Sequence, residues 1–227
     1  KINCLIRLIS QIEMKRLYIC LALISLLTLM SAEGHSQDYL SDISRDVKTI
    51  FFKGDNANHK ITVSVLPGID ETFRVSIPLY NEDAFFIILE NKILPFRNWL
   101  QFISNKFSEW RRVAINNNVT SVYKKIDLAS PGILCTGHSE GHLIRAEDVA
   151  LSASFEVKDG ISHMRIESWI TDGIRWDVLY LDFYNEAEFK DLISSLDYNH
   201  LEELSNSIIQ DYFKKQRDKE GIEELFK

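Results

Sequence analysis

Apolar side chains recur at steps of three and four residues between Pro95 and Ile115, and polar side chains fill most of the positions between them. On a helical wheel the apolar positions fall on one side, which predicts an amphipathic helix over about residues 95–115. Four side chains of this stripe are aromatic, so we expect the face to be buried against the rest of the fold. The stripe comprises Phe96, Trp99, Leu100, Ile103, Phe107, Trp110 and Ala114.

Alternating apolar and polar positions predict strands before this helix. Residues 60–66 and 73–79 alternate on either side of Pro67-Gly68 and are predicted to form a hairpin. The run 84–89 is almost entirely apolar, which is typical of a strand in the centre of a sheet. Further upstream, Leu40, Ile43 and Val47 are spaced as in a helix, so a short helix is predicted over 38–48.

The pattern after the central helix predicts more strands and then two helices. Residues 119–128 form one predicted strand, and a three-stranded meander follows at 151–183. The closing helices are predicted to begin near Asn185 and Asn199, because each asparagine is followed three residues later by a glutamate. The predicted fold class is α+β: an antiparallel sheet with the central helix (about 95–115) on one face and two C-terminal helices.

The meander carries the turn signals Asp159-Gly160 and Asp172-Gly173, both of which favour two-residue hairpin turns. The register that follows pairs apolar residues on one face and polar and aromatic residues on the other. That second face would carry Trp169 opposite Trp176, Arg165 between Ser154 and Tyr180, and His163 between Glu156 and Asp182. Tryptophans offer a stacking surface and an arginine a charged anchor. Trp169, Trp176, Arg165 and Tyr180 are therefore the predicted ligand-binding residues.

His163 is the candidate for acid–base chemistry. A histidine held between two carboxylates can accept and return a proton near neutral pH, so His163, Glu156 and Asp182 are the candidate catalytic residues. A solvated sheet face with ordinary cross-strand pairs is the alternative explanation of the same pattern.

The run CTGHSEGH at 135–142 is the densest group of possible metal ligands. In one extended strand, His138, Glu140 and His142 would point the same way, and two imidazoles with a carboxylate can bind zinc, with Cys135 close by. The two glycines of this run favour a turn instead, and the helical HExxH motif is absent. The sequence leaves both a metal site and a loop open, and it predicts no other cofactor.

Residues 1–36 are predicted to be an upstream extension followed by a secretory signal. Met14, the expected start, is followed by Lys15 and Arg16, by thirteen uncharged residues and then by several small ones, which is the layout of a signal peptide. The uncharged run is shorter than the about 20 residues of a membrane-spanning helix. One domain over 37–227 is therefore predicted, periplasmic or secreted, without stable membrane insertion after cleavage.

The net charge of the chain limits the possible partners, and its cysteine content indicates the cellular compartment. The chain has a net charge of −7, and the part after residue 36 is more acidic still, because residues 1–36 hold four basic and two acidic side chains. A chain this acidic repels phosphate backbones, so nucleic acid is not an expected partner. Only Cys135 lies outside the predicted signal, so no internal disulfide is expected, which favours a bacterial exported protein.

Sequence signatures of a GxGxxG loop or a Walker loop are absent. The sequence therefore favours a non-catalytic exported domain that binds a protein or a small ligand. The alternative is an extracytoplasmic hydrolase with acid–base residues on the 151–183 meander or a metal at 135–142. A deep cleft lined by His163 or His138 with carboxylates would favour the enzyme, and a flat aromatic face would favour the binding domain.

Overall fold

Ten strands and three helices follow one another in the part of the chain that the structure, a computed structural model, describes: residues 44–53, 58–68, 72–80, 84–139 and 141–224. The strands are β1 (Arg45–Lys53), β2 (Asn58–Pro67), β3 (Phe73–Pro78), β4 (Phe85–Leu89), β5 (Ser121–Ile126), β6 (Ile133–Ser139), β7 (His142–Val149), β8 (Ser152–Lys158), β9 (Ile161–Thr171) and β10 (Trp176–Phe183). The helices are α1 (Glu90–Asn116), α2 (Glu186–Ser195) and α3 (Tyr198–Glu224). The predicted extension and signal at 1–36 lie outside the described residues.

The strands form two antiparallel sheets. A six-stranded sheet has the order β1-β2-β3-β4-β6-β7, and a four-stranded sheet has the order β10-β9-β8-β5. The predicted α+β class is confirmed, as are the β2–β3 hairpin and the central place of β4, which lies between β3 and β6. The sequence predicted one sheet. The strands form two, because β5 pairs with β8 and the strands β5 and β8–β10 are not paired with the six-stranded sheet.

The first described element is a strand, so the predicted helix is wrong where it reaches into β1. Thr49, Ile50 and the residues that follow are β-branched and aromatic, which favours an extended chain. β1 pairs antiparallel with β2, with Ile50 opposite Ile61, and this pairing buries Ile50 and Phe52. The part of the predicted helix that precedes residue 44 lies outside the described residues.

Helix α1 is longer than predicted because it begins at Glu90, directly after β4, and continues through Pro95. Its predicted apolar stripe is buried at every position except Trp110, which is half-buried. The Phe107 ring lies 6.2 Å from Phe155 of β8 and 5.7 Å from Phe189 of α2. The central helix therefore packs on the four-stranded sheet and on α2 at once.

Aromatic rings connect the two sheets in the core. Phe52 of β1 lies 5.3 Å from Phe183 of β10, and the Phe183 ring stacks on Phe189 at 3.9 Å. The sheets also approach closely at Gly137 of β6, where a Cβ atom would come within 2.7 Å of Asp177 Oδ2 in β10. A side chain at position 137 would therefore force the side chains of Asp177 and Leu179 to shift.

An N-terminal cap was predicted for each of the two C-terminal helices, and one of the two predictions is correct. The capping box of Asn185 and Glu188 at the start of α2 is confirmed. The predicted cap at Asn199 is wrong, because α3 begins at Tyr198 and the carboxylate of Asp197 accepts a hydrogen bond from the His200 N–H at 3.1 Å. Asp197 offers the same capping chemistry two residues earlier.

Candidate functional site

The meander formed by β8, β9 and β10 has one turn of the predicted form and one that differs. Asp159 and Gly160 both have positive φ, 52° and 78°, as a two-residue type I′ turn requires, and Lys158 lies opposite Ile161. The second turn holds the four residues 172–175, and Thr171 lies opposite Trp176. The predicted register of β9 against β10 is therefore wrong by two residues.

The side chain of Asp172 explains the longer turn. Its Oδ1 atom accepts hydrogen bonds from the N–H groups of Ile174 at 2.9 Å and Arg175 at 2.7 Å, and these bonds lower the pKa of Asp172. The Asp172 side chain thus stabilises a four-residue turn through hydrogen bonds to the main chain, in place of the predicted two-residue turn. Because side chains alternate with a period of two, a shift of two residues leaves every side chain on its predicted face.

Two tryptophans project from the outer face of the meander, which is the side turned away from the buried Phe155, Met164 and Ile166. Trp169 and Trp176 are 63% and 61% exposed, and their ring centroids lie 5.1 Å apart with the planes inclined by 33°. They meet diagonally, because Trp169 lies opposite Val178. We call the set of Trp169, Trp176, Tyr180 and Arg165 the aromatic face.

Arg165 is fixed in place by its neighbours on β10. The guanidinium donates two hydrogen bonds of 2.8 Å to the carboxylate of Asp182, and these bonds raise the pKa of Arg165, so the side chain stays charged. Its Cζ atom lies 4.5 Å from the ring centroid of Tyr180. The sequence predicted Tyr180 directly opposite Arg165; Asp182 takes that position, and Tyr180 lies diagonal to it.

Tyr80, which lies two residues beyond the end of β3, supports this arrangement, and no sequence pattern predicted it. Its hydroxyl donates to the Asp182 carbonyl oxygen at 2.8 Å and lies 3.2 Å from the Asp182 N–H, which donates to it. Burial, followed by the charge of Asp182, raises the pKa of Tyr80, so the hydroxyl remains protonated. Its ring lies 5.9 Å from Tyr180 and 4.3 Å from His59. Tyr80 is 102 residues from Asp182 in the chain, so no local pattern could have indicated the contact.

The three candidate catalytic residues are not all brought together. His163 lies opposite Glu156 as predicted, with 3.5 Å between Nε2 and Oε2. Asp182, predicted on its other side, faces Arg165, and the ring of Tyr184 stacks on His163 at 5.3 Å instead. His163 is only 7% exposed, and its Nε2 has no hydrogen-bond partner among the described residues.

The candidate metal ligands lie on a hairpin, which agrees with the turn that the two glycines favour and not with a single extended strand. β6 and β7 pair with Ser139 opposite His142 and His138 opposite Leu143, which places the two histidines on opposite faces. Cys135 is fully buried, and burial raises its pKa to about 12. Glu140 lies outside the described residues. Within the described ranges, no three His, Cys, Asp or Glu side chains are grouped as metal ligands.

The surface of the described residues has an apolar hollow of 160 Å³ between the C-terminal half of α1 and β5. Another hollow lies along α3 beside Phe213. Neither is lined by His163 or His138. None of the described helices combines the length and apolar character needed to cross a membrane.

Comparison with known proteins gives no relative from which a role could be transferred. No family model matches the chain, and no curated protein or solved structure matches it either.

Proposed function

We propose that the protein is an exported, non-catalytic binding domain that holds its partner on the aromatic face. One observation carries this proposal: Trp169 and Trp176 pack against each other on the outer face of the meander while each leaves more than half of its surface exposed. Exposed apolar surface of this kind marks interaction sites, and Trp, Tyr and Arg are the residues most enriched in binding hot spots.

The geometry of the aromatic face suits recognition because its parts are already fixed. The tryptophans stand on a hydrogen-bonded sheet, and Asp182 and Tyr180 hold Arg165 in one orientation. A surface that is ordered before binding loses little conformational entropy when the partner arrives. The partner is a protein or a small ligand that offers a planar or apolar surface to the tryptophans and a hydrogen-bond acceptor to the exposed part of Arg165.

An extracytoplasmic hydrolase is the second candidate, and the contact between His163 and Glu156 supports it. A general base must reach the proton that it removes. The His163 ring is stacked on Tyr184 and almost fully buried, so a substrate would have to enter beside Glu156, whose side chain is 38% exposed. The binding domain has the stronger support, because its residues are accessible as they stand.

Export is part of the proposal and rests on the signal-like pattern of residues 1–36. Mass spectrometry of the protein from its native host is expected to show an N-terminus between residues 33 and 37. A chain that retains residues 17–29 would contradict cleavage and would indicate a membrane anchor instead.

A photo-crosslinking amino acid in place of Thr171 tests the binding role, because Thr171 is exposed and lies opposite Trp176. In the native host, we expect the crosslinker to capture a discrete partner, and we expect Trp169→Ala with Trp176→Ala to abolish the capture. Phe213→Ala is the matched control, since Phe213 is a similarly exposed aromatic residue on α3. Capture that survives the double substitution would contradict the proposal. A substrate whose turnover stops in His163→Gln would favour the hydrolase.

A further inference from the structure

The free edge of β5 is a second surface of the same sheet, distinct from the aromatic face. β5 is the outermost strand of the four-stranded sheet and pairs with β8 on one side. On its other side no strand of the described part of the chain is paired with it. An edge strand presents a row of main-chain N–H and C=O groups that can hydrogen-bond to an added strand.

A hollow of 160 Å³ lies beside this edge. Val122 and Lys124 of β5 turn towards α1, where Trp110 and Val113 form the facing wall, and Phe155 of β8 lies at the base. Val113 and Val122 are exposed although both are apolar. A volume of this size matches an apolar cavity of about 150 Å³ that accommodates a benzene molecule, so it can accept one large apolar side chain.

The charge around the hollow is basic in a chain that is acidic overall. Lys124 and Lys125 are adjacent on β5, Lys124 on the face of the hollow and Lys125 on the opposite face. The Nζ atom of Lys124 lies 4.1 Å from the Trp110 ring centroid, directly over the hollow's wall. The carboxylate of Glu109 is engaged by Lys106 at 2.8 Å. Acidic side chains on an incoming strand would therefore find positive charge on both faces of β5.

We propose that β5 and the hollow beside it bind an extended segment of a partner protein in which acidic and apolar residues alternate. The segment adds to the sheet as a further strand beyond β5, as in β-strand addition generally. Its main chain pairs with β5, and its apolar side chains lie on the face of Val122, where one enters the hollow between Val113 and Val122. Its carboxylates lie on the opposite face, beside Lys125.

A second copy of the same strand does not fit this edge. Antiparallel pairing of two β5 strands about their middle would place Lys124 of each copy diagonal to Lys125 of the other, with one such pair on each face of the sheet. Like charges at neighbouring cross-strand positions are destabilising. The edge therefore selects an acidic strand over its own copy.

The test uses the purified protein and two fluorescently labelled hexapeptides, matched in length to β5, that alternate valine with glutamate or valine with lysine. As protein is added, we expect the fluorescence anisotropy of the glutamate peptide to rise and saturate. We expect this peptide to bind about tenfold or more tightly than the lysine peptide. Hydrogen exchange at Ser121–Ile126 is expected to slow when the glutamate peptide is bound. A peptide N-methylated on its pairing edge, which cannot donate main-chain hydrogen bonds, is expected to lose most of the affinity.

Charge-reversed variants complete the experiment. Lys125→Glu is expected to reverse the preference between the two peptides. Val113→Asp, on the α1 wall of the hollow, is expected to weaken binding of the glutamate peptide. Lys60→Glu, at an exposed lysine on β2 in the other sheet, is the control and is expected to change nothing. Absence of saturable binding, equal affinity for both peptides, or slowed exchange elsewhere than β5 would each overturn the proposal.

Discussion

Arg165 and Asp182 lie directly opposite each other on neighbouring strands and form a two-pronged ion pair whose halves differ in exposure. The Asp182 side chain is 7% exposed, whereas the Arg165 side chain is 35% exposed. Water can therefore hydrate the guanidinium where it stands but can hardly reach the carboxylate.

This asymmetry predicts that the two halves of the pair do not contribute equally to stability. Arg165→Met leaves a carboxylate with little water and is expected to cost about 2–4 kcal/mol in the free energy of unfolding. Asp182→Asn leaves a hydrated guanidinium and is expected to cost about 1–2 kcal/mol. Urea unfolding measures both values, with Lys125→Met as a surface control on the same sheet. The reverse order would show that the arginine is the less hydrated partner.

Tyr80→Phe is expected to expose the main chain of Asp182. The substitution removes the hydroxyl that bonds both the N–H and the carbonyl of Asp182 while it leaves the ring in place. A loss of about 1–3 kcal/mol in unfolding free energy is expected, because two part-buried polar groups lose their partner. The amide hydrogen of Asp182 should also exchange faster. Tyr180→Phe, which leaves those bonds intact, serves as the control; equal exchange rates in the two variants would contradict the expectation.

The aromatic stripe of α1 predicts a graded response to truncation. Phe107 is fully buried between Phe155 and Phe189, so Phe107→Ala is expected to cost about 3–5 kcal/mol. Trp110 is half-buried and has Lys124 over its ring, so Trp110→Ala is expected to cost less, about 1–3 kcal/mol. Chemical denaturation of the two variants measures the difference. A larger loss for Trp110→Ala would place the centre of the core nearer to β5.

Cys135 is expected to resist thiol reagents in the folded protein. Burial raises its pKa to about 12, so at pH 8 the group remains a protonated thiol, and only the thiolate reacts. Peptide mapping after treatment with iodoacetamide should find position 135 unmodified in the native protein and modified after denaturation. His142→Cys, an exposed position on the same hairpin, should react in the native state and supplies the positive control. Rapid native labelling of Cys135 would mean that β6 opens readily.

The aromatic face could be predicted from the sequence because it depends only on alternation and on one well-defined turn. Asp159-Gly160 fixes β8 against β9, and the period of two then assigns Trp169, Trp176 and Arg165 to one face. The pairing across the second turn could not be predicted in the same way. The carboxylate of Asp172 closes a four-residue loop, and a dipeptide signal does not distinguish that loop from a two-residue turn.

The register error changes the chemistry of the candidate site more than its location. Asp182 becomes the partner of Arg165, and Tyr184 takes the place beside His163 that was predicted for the aspartate. Tyr80 joins from the segment that follows β3, and a contact between distant parts of the chain leaves no periodic trace in a sequence. The misassigned β1 has a local cause: Val47 fits the spacing of a helix, whereas Ile50 and Phe52 are set by pairing with β2.

The hydroxyl of Tyr80 has a consequence for how the protein can assemble. At Asp182 it occupies the donor and acceptor that a strand arriving beside β10 would need, so such a strand would first have to displace the phenol ring. The four-stranded sheet is thus obstructed at one side and open at β5 on the other. A ribbon that grows by stacking identical sheets edge to edge needs two receptive sides. With one receptive side, this sheet cannot propagate such a ribbon, which favours finite complexes over fibres.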